Sequence, residues 1–131
     1  MARVRLADPG DVLRIVDMIE DLRQAVDGPI AVDRPWAAAN VAGLIASPDG
    51  VVFISDGGFI AGSLQPTIIN PTRIAMEHGW FAADGSGLRL LKAFEEWARS
   101  KGASLIQLST GAEGLDLSRL GYQLAERAWF K

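Results

Sequence analysis

The stretch from Glu77 to Leu88, reading EHGWFAADGSGL, constrains this chain most, because it passes from strand through glycine turn into helix without a break. The helix is expected to run to about Lys101. Leu90, Leu91, Phe94, Trp97 and Ala98 recur at helical spacing, and Gly102 supplies the stop. Ser86 or Asp84 stands where a helix cap is expected. Such a turn leaves backbone N–H groups unpaired at the positive end of a helix, which suits a phosphate. Gly85 and Gly87 matter there because a side chain would hold an anion away from the backbone. A Gly-Ser-Gly turn alone is most often only a turn, so its meaning depends on the elements around it.

Arg3 to Ala7 alternates charged and apolar residues, which predicts a short strand wet on one face. Asp8-Pro9 opens a helix, with Asp as cap and Pro at the first helical position, and Val12, Ile15, Val16, Ile19, Leu22 and Val26 form its inward stripe. Asp27-Gly28-Pro29 ends it, and the loop to Val32 is either a lid over a substrate or simply packed. Asp33 caps a second helix from about Pro35 to Ala46, with Trp36, Val41, Leu44 and Ile45 on its core side. Val51–Ser55 and Phe59–Leu64 form a hairpin around Asp56-Gly57-Gly58, and a third strand covers about Thr72 to Phe81. After the central helix come a strand over Ser104–Ser109, a loop over Thr110–Gly114, a helical turn over Leu115–Leu120 closed by Gly121, and a final strand over Gln123–Phe130. The expectation is one α/β domain over residues 1–131, with a sheet of mixed direction and helices on both faces.

Composition removes several classes of function. The 131 residues are 49% hydrophobic, enough for a buried core, and the net charge of −3 with no basic stripe argues against nucleic acid as partner. With no cysteine there is no disulfide, thiolate metal site or cysteine nucleophile, and the single His78 cannot build a multi-histidine metal centre. The opening Met1-Ala2-Arg3-Val4-Arg5-Leu6 has no signal-peptide run and no apolar stretch is long enough for a bilayer, so a cytoplasmic protein without membrane attachment is expected.

Several segments resemble one family. Arg3–Asp11 (RVRLADPGD) is similar to the opening strand and helix cap of the GNAT (Gcn5-related N-acetyltransferase) superfamily. Val51–Leu64 is similar to its central hairpin, Lys92–Gly102 (KAFEEWARSKG) to the helix after its acyl-CoA loop, and Arg119-Leu120-Gly121-Tyr122 to its late leucine-glycine-aromatic step. The resemblance covers nearly the whole chain and is strongest to the short bacterial and phage forms. It implies a mixed, mostly antiparallel sheet of about six to seven strands. It implies acetyl-CoA as acyl donor, a primary amine of a small molecule, peptide or protein as acceptor, and is compatible with a homodimer.

The family's acyl-CoA motif, Gln/Arg-x-x-Gly-x-Gly/Ala, falls on Ala82-Ala83-Asp84-Gly85-Ser86-Gly87. Gly85 and Gly87 match; Ala82 replaces the basic or amide residue, and Asp84 brings a carboxylate where like charge would repel a pyrophosphate unless it points away. The resemblance implies that backbone N–H groups from Asp84 through Leu88 hold the pyrophosphate, with Arg89 or Lys92 assisting. It also implies that the pantetheine arm pairs with the strand around Trp80 and Phe81. Glu77 is the preferred general base, on the strand that ends at the acyl site. His78 is its rival, and adjacent strand residues cannot both enter one cleft. The family's tyrosine acid, four residues before the late glycine, is here Leu117; Tyr122 occupies the structural aromatic position. Trp36 and Trp80 are candidates for the acceptor pocket, and Trp129 for a subunit contact. The alternative to an enzyme is a non-catalytic GNAT-like module that binds acyl-CoA or a protein partner. A toxin acting on aminoacyl-tRNA is a third reading, disfavoured by the missing basic surface.

Overall fold

The computed structural model describes residues 3–112 and 114–131. Met1 and Ala2 of the opening segment, and Glu113 of the expected Thr110–Gly114 loop, lie outside the described residues. In chain order the elements are β1 (Arg5–Leu6), a 3-10 turn (Pro9–Asp11), α1 (Val12–Ala25), α2 (Arg34–Ala46), β2 (Gly50–Ser55), β3 (Gly58–Gln65), β4 (Ile74–Ala82), α3 (Gly87–Ser100), β5 (Ile106–Gln107) and a second 3-10 turn (Ser118–Leu120). The strands form one sheet in the order β1-β2-β3-β4-β5, antiparallel up to β4 and parallel between β4 and β5.

Alternation along the strands divides the core into two layers. Val51, Ile60, Leu64 and Ala75 point to one face and meet Leu90, Leu91, Phe94 and Ala98 of α3. Val52, Ile54, Phe59 and Ala61 point to the other and meet Ile15 and Met18 of α1 and Val41 of α2. Full burial of side chains such as Phe94 and Ile60 contributes roughly 1.5–3 kcal/mol each. Gly62 is required by this packing, since a Cβ there would lie 2.4 Å from the Phe94 ring and 2.6 Å from the Met76 carbonyl oxygen.

Polar contacts set the entry to each layer. Asp8 and Asp11 form a reciprocal capping box at the first 3-10 turn, and the Asp11 carboxylate accepts two hydrogen bonds from Arg5 at 2.7 and 2.8 Å. Those Arg5 hydrogen bonds, with one from the Asp8 backbone, pull the Asp11 pKa down to about 2. Arg34, at the start of α2, bonds Asp17 (2.8 Å) and Glu20 of α1 and so pins the two helices together.

Five expectations are corrected. The sheet among the described residues has five strands, not six to seven. The strand expected over Ser104–Ser109 pairs only at Ile106 and Gln107, and Gln123–Phe130 forms no strand, with Leu124, Trp129 and Phe130 exposed. The reason is geometric: β5 departs from β4 after two residues and leaves no long edge for a further strand to pair with. Trp36 is 71% exposed rather than in the core. It lies in the first turn of α2, at i−5 from Val41 and so well around the helix from that buried position. Val26, expected at the end of the α1 stripe, is also exposed, because the helix ends at Ala25. Among the described residues no helix is long and apolar enough to cross a membrane.

Candidate active site

The site is built on β4 and the turn that follows it. The register between β3 and β4 slips at Ala61/Gly62, where Ala61 faces Gly79 and Gly62 faces Glu77, so His78 is an extra residue on β4. This β-bulge bends the strand. On its other side β4 pairs with β5 only through Ala75 and Met76. From Glu77 to Ala82, β4 therefore has no strand beside it on that edge among the described residues, and the two parallel strands open into a fork.

Glu77 and His78 point to opposite faces of the sheet. Glu77, in phase with Ala75, lies at the fork, and its carboxylate accepts the Ser109 backbone N–H at 2.9 Å, which ties the two arms together beyond their last pair. Burial pushes its pKa up to about 7, only partly countered by the Ser109 hydrogen bond. His78 lines a recess beneath α2; its Nε2 lies 2.7 Å from the Ser63 Oγ, and the Gln65 amide donates to that same Oγ at 2.9 Å. Desolvation lowers the His78 pKa, which favours the neutral ring.

The turn from Ala82 to Gly87 carries the chain from the end of β4 to the start of α3. Gly85 has φ +78°, a left-handed backbone conformation that glycine adopts without strain. Ser86 is fully buried, occupies the cap position and makes no side-chain cap to its own helix. Its hydroxyl instead donates to Asp84 (2.5 Å) and lies 2.8 Å from the Ser55 Oγ. Asp84 also accepts from the Ser55 hydroxyl (3.0 Å), the Gly57 backbone N–H (2.9 Å) and the Ser86 backbone N–H (3.2 Å). Burial alone would raise the Asp84 pKa, but the hydrogen bonds from Ser86, Gly57 and Ser55 outweigh it and hold the carboxyl well below the usual carboxylate range. Neither Asp84 nor Ser86 caps α3 with its side chain as the sequence suggested; both are turned toward the β2–β3 turn. Arg14 of α1 grips that turn from the other side, donating to the Ser55 carbonyl at 2.6 Å.

Neither side chain caps α3, whose first N–H groups have no acceptor within the helix itself. Trp80 stands beside them, and its indole N–H donates to the Gly87 carbonyl at 3.1 Å. A Cβ on Gly87 would lie 3.7 Å from Ala82 and 3.9 Å from the Trp80 indole nitrogen, so packing does not require glycine there. Phe81 faces the α1–α2 layer and Ala82 the α3 layer, while Leu88 and Arg89 are exposed on the first turn of α3.

No family model and no curated protein matches the chain. Solved structures do. A predicted acetyltransferase from Clostridium acetobutylicum, solved with acetyl-CoA, superposes with a TM-score of 0.76 at 19% identity, over 100% of this chain and 95% of the other. AAC(6')-Iy, in complex with the bisubstrate analog CoA-S-monomethyl-acetylneamine, gives 0.77 at 17% identity, over 100% and 97%. A transcriptional regulator from Bacillus halodurans C-125 gives 0.78 at 18%, over 100% and 99%.

The chain has the GNAT fold.

Within the GNAT frame, the motif positions Ala82 to Gly87 coincide with the observed turn from β4 into α3. Trp80 belongs to the α3 side of the sheet, at the turn, and not to the recess beneath α2. Trp36 does not line that recess either. Leu117, where the resemblance would put a tyrosine, is half-buried at the edge of the second 3-10 turn. The Tyr122 hydroxyl donates to Glu95 at 2.6 Å, and burial with that carboxylate beside it pushes the phenol pKa up. Two features were missed by the sequence reading. The clasp of Ser55 and Gly57 on Asp84 spans distant parts of the chain, and only the hairpin signal Asp56-Gly57-Gly58 hinted at a turn close by. The recess beneath α2 left one trace, a glycine inside a predicted helix at Gly43.

Proposed function

We propose that this protein is an acetyl-CoA-dependent N-acetyltransferase that acts on a primary amine of a small molecule or peptide. The observation that carries the reading is the open edge of β4 from Glu77 to Ala82, leading to the amino end of α3. A pantetheine arm can add to that edge as a strand would, while the N–H groups of Gly87 and Leu88 with the helix dipole receive the pyrophosphate. Asp84 does not block this, since both its oxygens are turned toward donors of Ser86 and of the β2–β3 turn.

In the transfer, the amine nitrogen forms a C–N bond to the thioester carbon, the C–S bond breaks, and one amine proton ends on the CoA sulfur. The protein must supply orientation, donors for the carbonyl oxygen and a base for the proton. Glu77 is the base in this reading, acting directly or through water, because its raised pKa suits proton transfer near neutral pH. With leucine at 117 there is no tyrosine to protonate the thiolate, and the proton taken up by Glu77 reaches the sulfur through water. A cytoplasmic setting and a single-domain organisation belong to the same reading.

One observation favours the non-catalytic alternative: one Glu77 oxygen is already engaged by Ser109. Calorimetric titration with acetyl-CoA and CoA, followed by CoA release with an amine panel, separates the two. Saturable binding of micromolar strength, roughly −8 kcal/mol, with thiol release supports the enzyme. Binding without release supports an acyl-CoA-binding module, and no binding at millimolar cofactor overturns both the enzyme and that module and leaves a module for a protein partner.

A further inference from the structure

We propose that the recess between α2 and the β4 bulge is the acceptor site, and that it takes a small primary amine with an apolar body and no second positive charge. This rests on the acetyltransferase reading above.

Two adjoining cavities, of about 510 and 180 Å³, share Asn40, Leu44 and His78. The larger one sets the uncharged polar groups of Ser63, Gln65, Asn40 and His78 beside Ala39, Gly43 and Leu44. The smaller one is apolar, floored by Ile19, Leu22, Val41 and Phe59. No Asp or Glu lines either cavity among the described residues. The α1 carboxylates Asp17 and Glu20 are held by Arg34. A polycation would bring ammonium groups out of water with no carboxylate to receive them, which is unfavourable. An amine on an aryl or alkyl body instead puts its body on the apolar floor and its nitrogen at the β4 bulge, between His78 and the fork where Glu77 lies. There the ring Nε2 is engaged by Ser63, and the other ring nitrogen makes no hydrogen bond to the described residues.

Gly43 points to the same use. It sits inside α2, where glycine is unfavourable relative to alanine, and a Cβ there would meet nothing within 4 Å. No neighbour asks for glycine, and the space it leaves open is the recess.

His78 is the only histidine, so its imidazole C–H resonances report on the recess without any cofactor. The test titrates phenethylamine and spermidine into wild type, Gly43→Leu and Gly43→Ala while following those resonances. CoA release from saturating acetyl-CoA is then measured with the same amines. Phenethylamine is expected to shift the His78 signals and to have a kcat/KM about tenfold or more above that of spermidine. Gly43→Leu should abolish the shift and lower kcat/KM for phenethylamine by about tenfold or more, with acetyl-CoA affinity unchanged. Gly43→Ala, which cannot fail to fold for want of space, should fall between. Preference for spermidine, or an unchanged Gly43→Leu, overturns the proposal. So does acetyl-CoA binding without turnover of phenethylamine. Absence of acetyl-CoA binding with an intact His78 shift overturns the acetyltransferase reading instead, and leaves the recess as a plain amine site.

Discussion

Asp84 is the residue whose meaning changed most between sequence and structure. In the sequence it stands inside a phosphate loop, where its charge argues against an anion. In the structure its two oxygens receive donors from Ser55, Gly57 and Ser86, and it becomes the peg that fixes the loop to the β2–β3 turn. Asp84→Asn keeps the shape but turns an amide NH2 toward donors, so we expect a loss of about 1–3 kcal/mol in urea unfolding, together with weaker acetyl-CoA binding. Wild-type stability in that variant would remove Asp84 from the loop's support. No local pattern could disclose this, because Ser55 and Asp84 are joined only by the tertiary fold. The opposition of Glu77 and His78 was legible, since it follows from strand alternation alone. Glu77→Gln tests the carboxylate in two ways. Between its ordinary 4.5 and about 7 the folded chain keeps a proton that the unfolded chain has lost, so rising pH lowers stability across that window. Glutamine retains an oxygen for the Ser109 N–H and has no such titration. The variant should therefore gain melting temperature over wild type at pH 8 relative to pH 5. If Glu77 is the base, kcat falls while acetyl-CoA affinity holds, and the rise of rate with pH through about 7 disappears. Activity lost in His78→Ala but kept in Glu77→Gln would move the base to His78.

At the scale of elements, α1, α2, α3 and the β2–β3–β4 meander were readable because each is long enough to show its period and carries its own punctuation: Asp33 at the start of α2, Gly57-Gly58 in the hairpin, Gly102 after α3. β5 and the C-terminal segment were not. A strand exists only where an edge receives it, and apolar runs such as Leu105–Leu108 do not reveal that β5 leaves β4 after two residues. That departure opens the fork on which the proposed function depends. The start of α3 supplies its own test. Gly87→Glu has room for its Cβ and sets a carboxylate near the positive end of the helix. Melting temperature should hold or rise, while acetyl-CoA affinity should drop by tenfold or more, about 1.4 kcal/mol or greater. A stable variant with unchanged affinity would show that this helix end does not receive the phosphates.

Across the whole molecule, the sheet separates two sets of groups. The fork, the Gly85–Leu88 turn and Glu77 belong to the face that α3 covers. His78, Ser63 and Gly43 belong to the face under α1 and α2. The two meet at the β4 bulge, where strand alternation turns His78 toward one face directly after Glu77 has turned toward the other. If donor and acceptor bind from opposite faces and meet only at the fork, damage to one side should not change the binding cost of damage to the other. The double variant Gly43→Leu/Gly87→Glu checks this. Its loss in acetyl-CoA affinity should equal that of Gly87→Glu alone, and its loss in phenethylamine shift of the His78 signals that of Gly43→Leu alone, each within about 0.5 kcal/mol. A larger coupling would mean that the α2 recess and the α3 turn share a ligand or move together. The sheet would then be a hinge between the two faces and not a fixed partition.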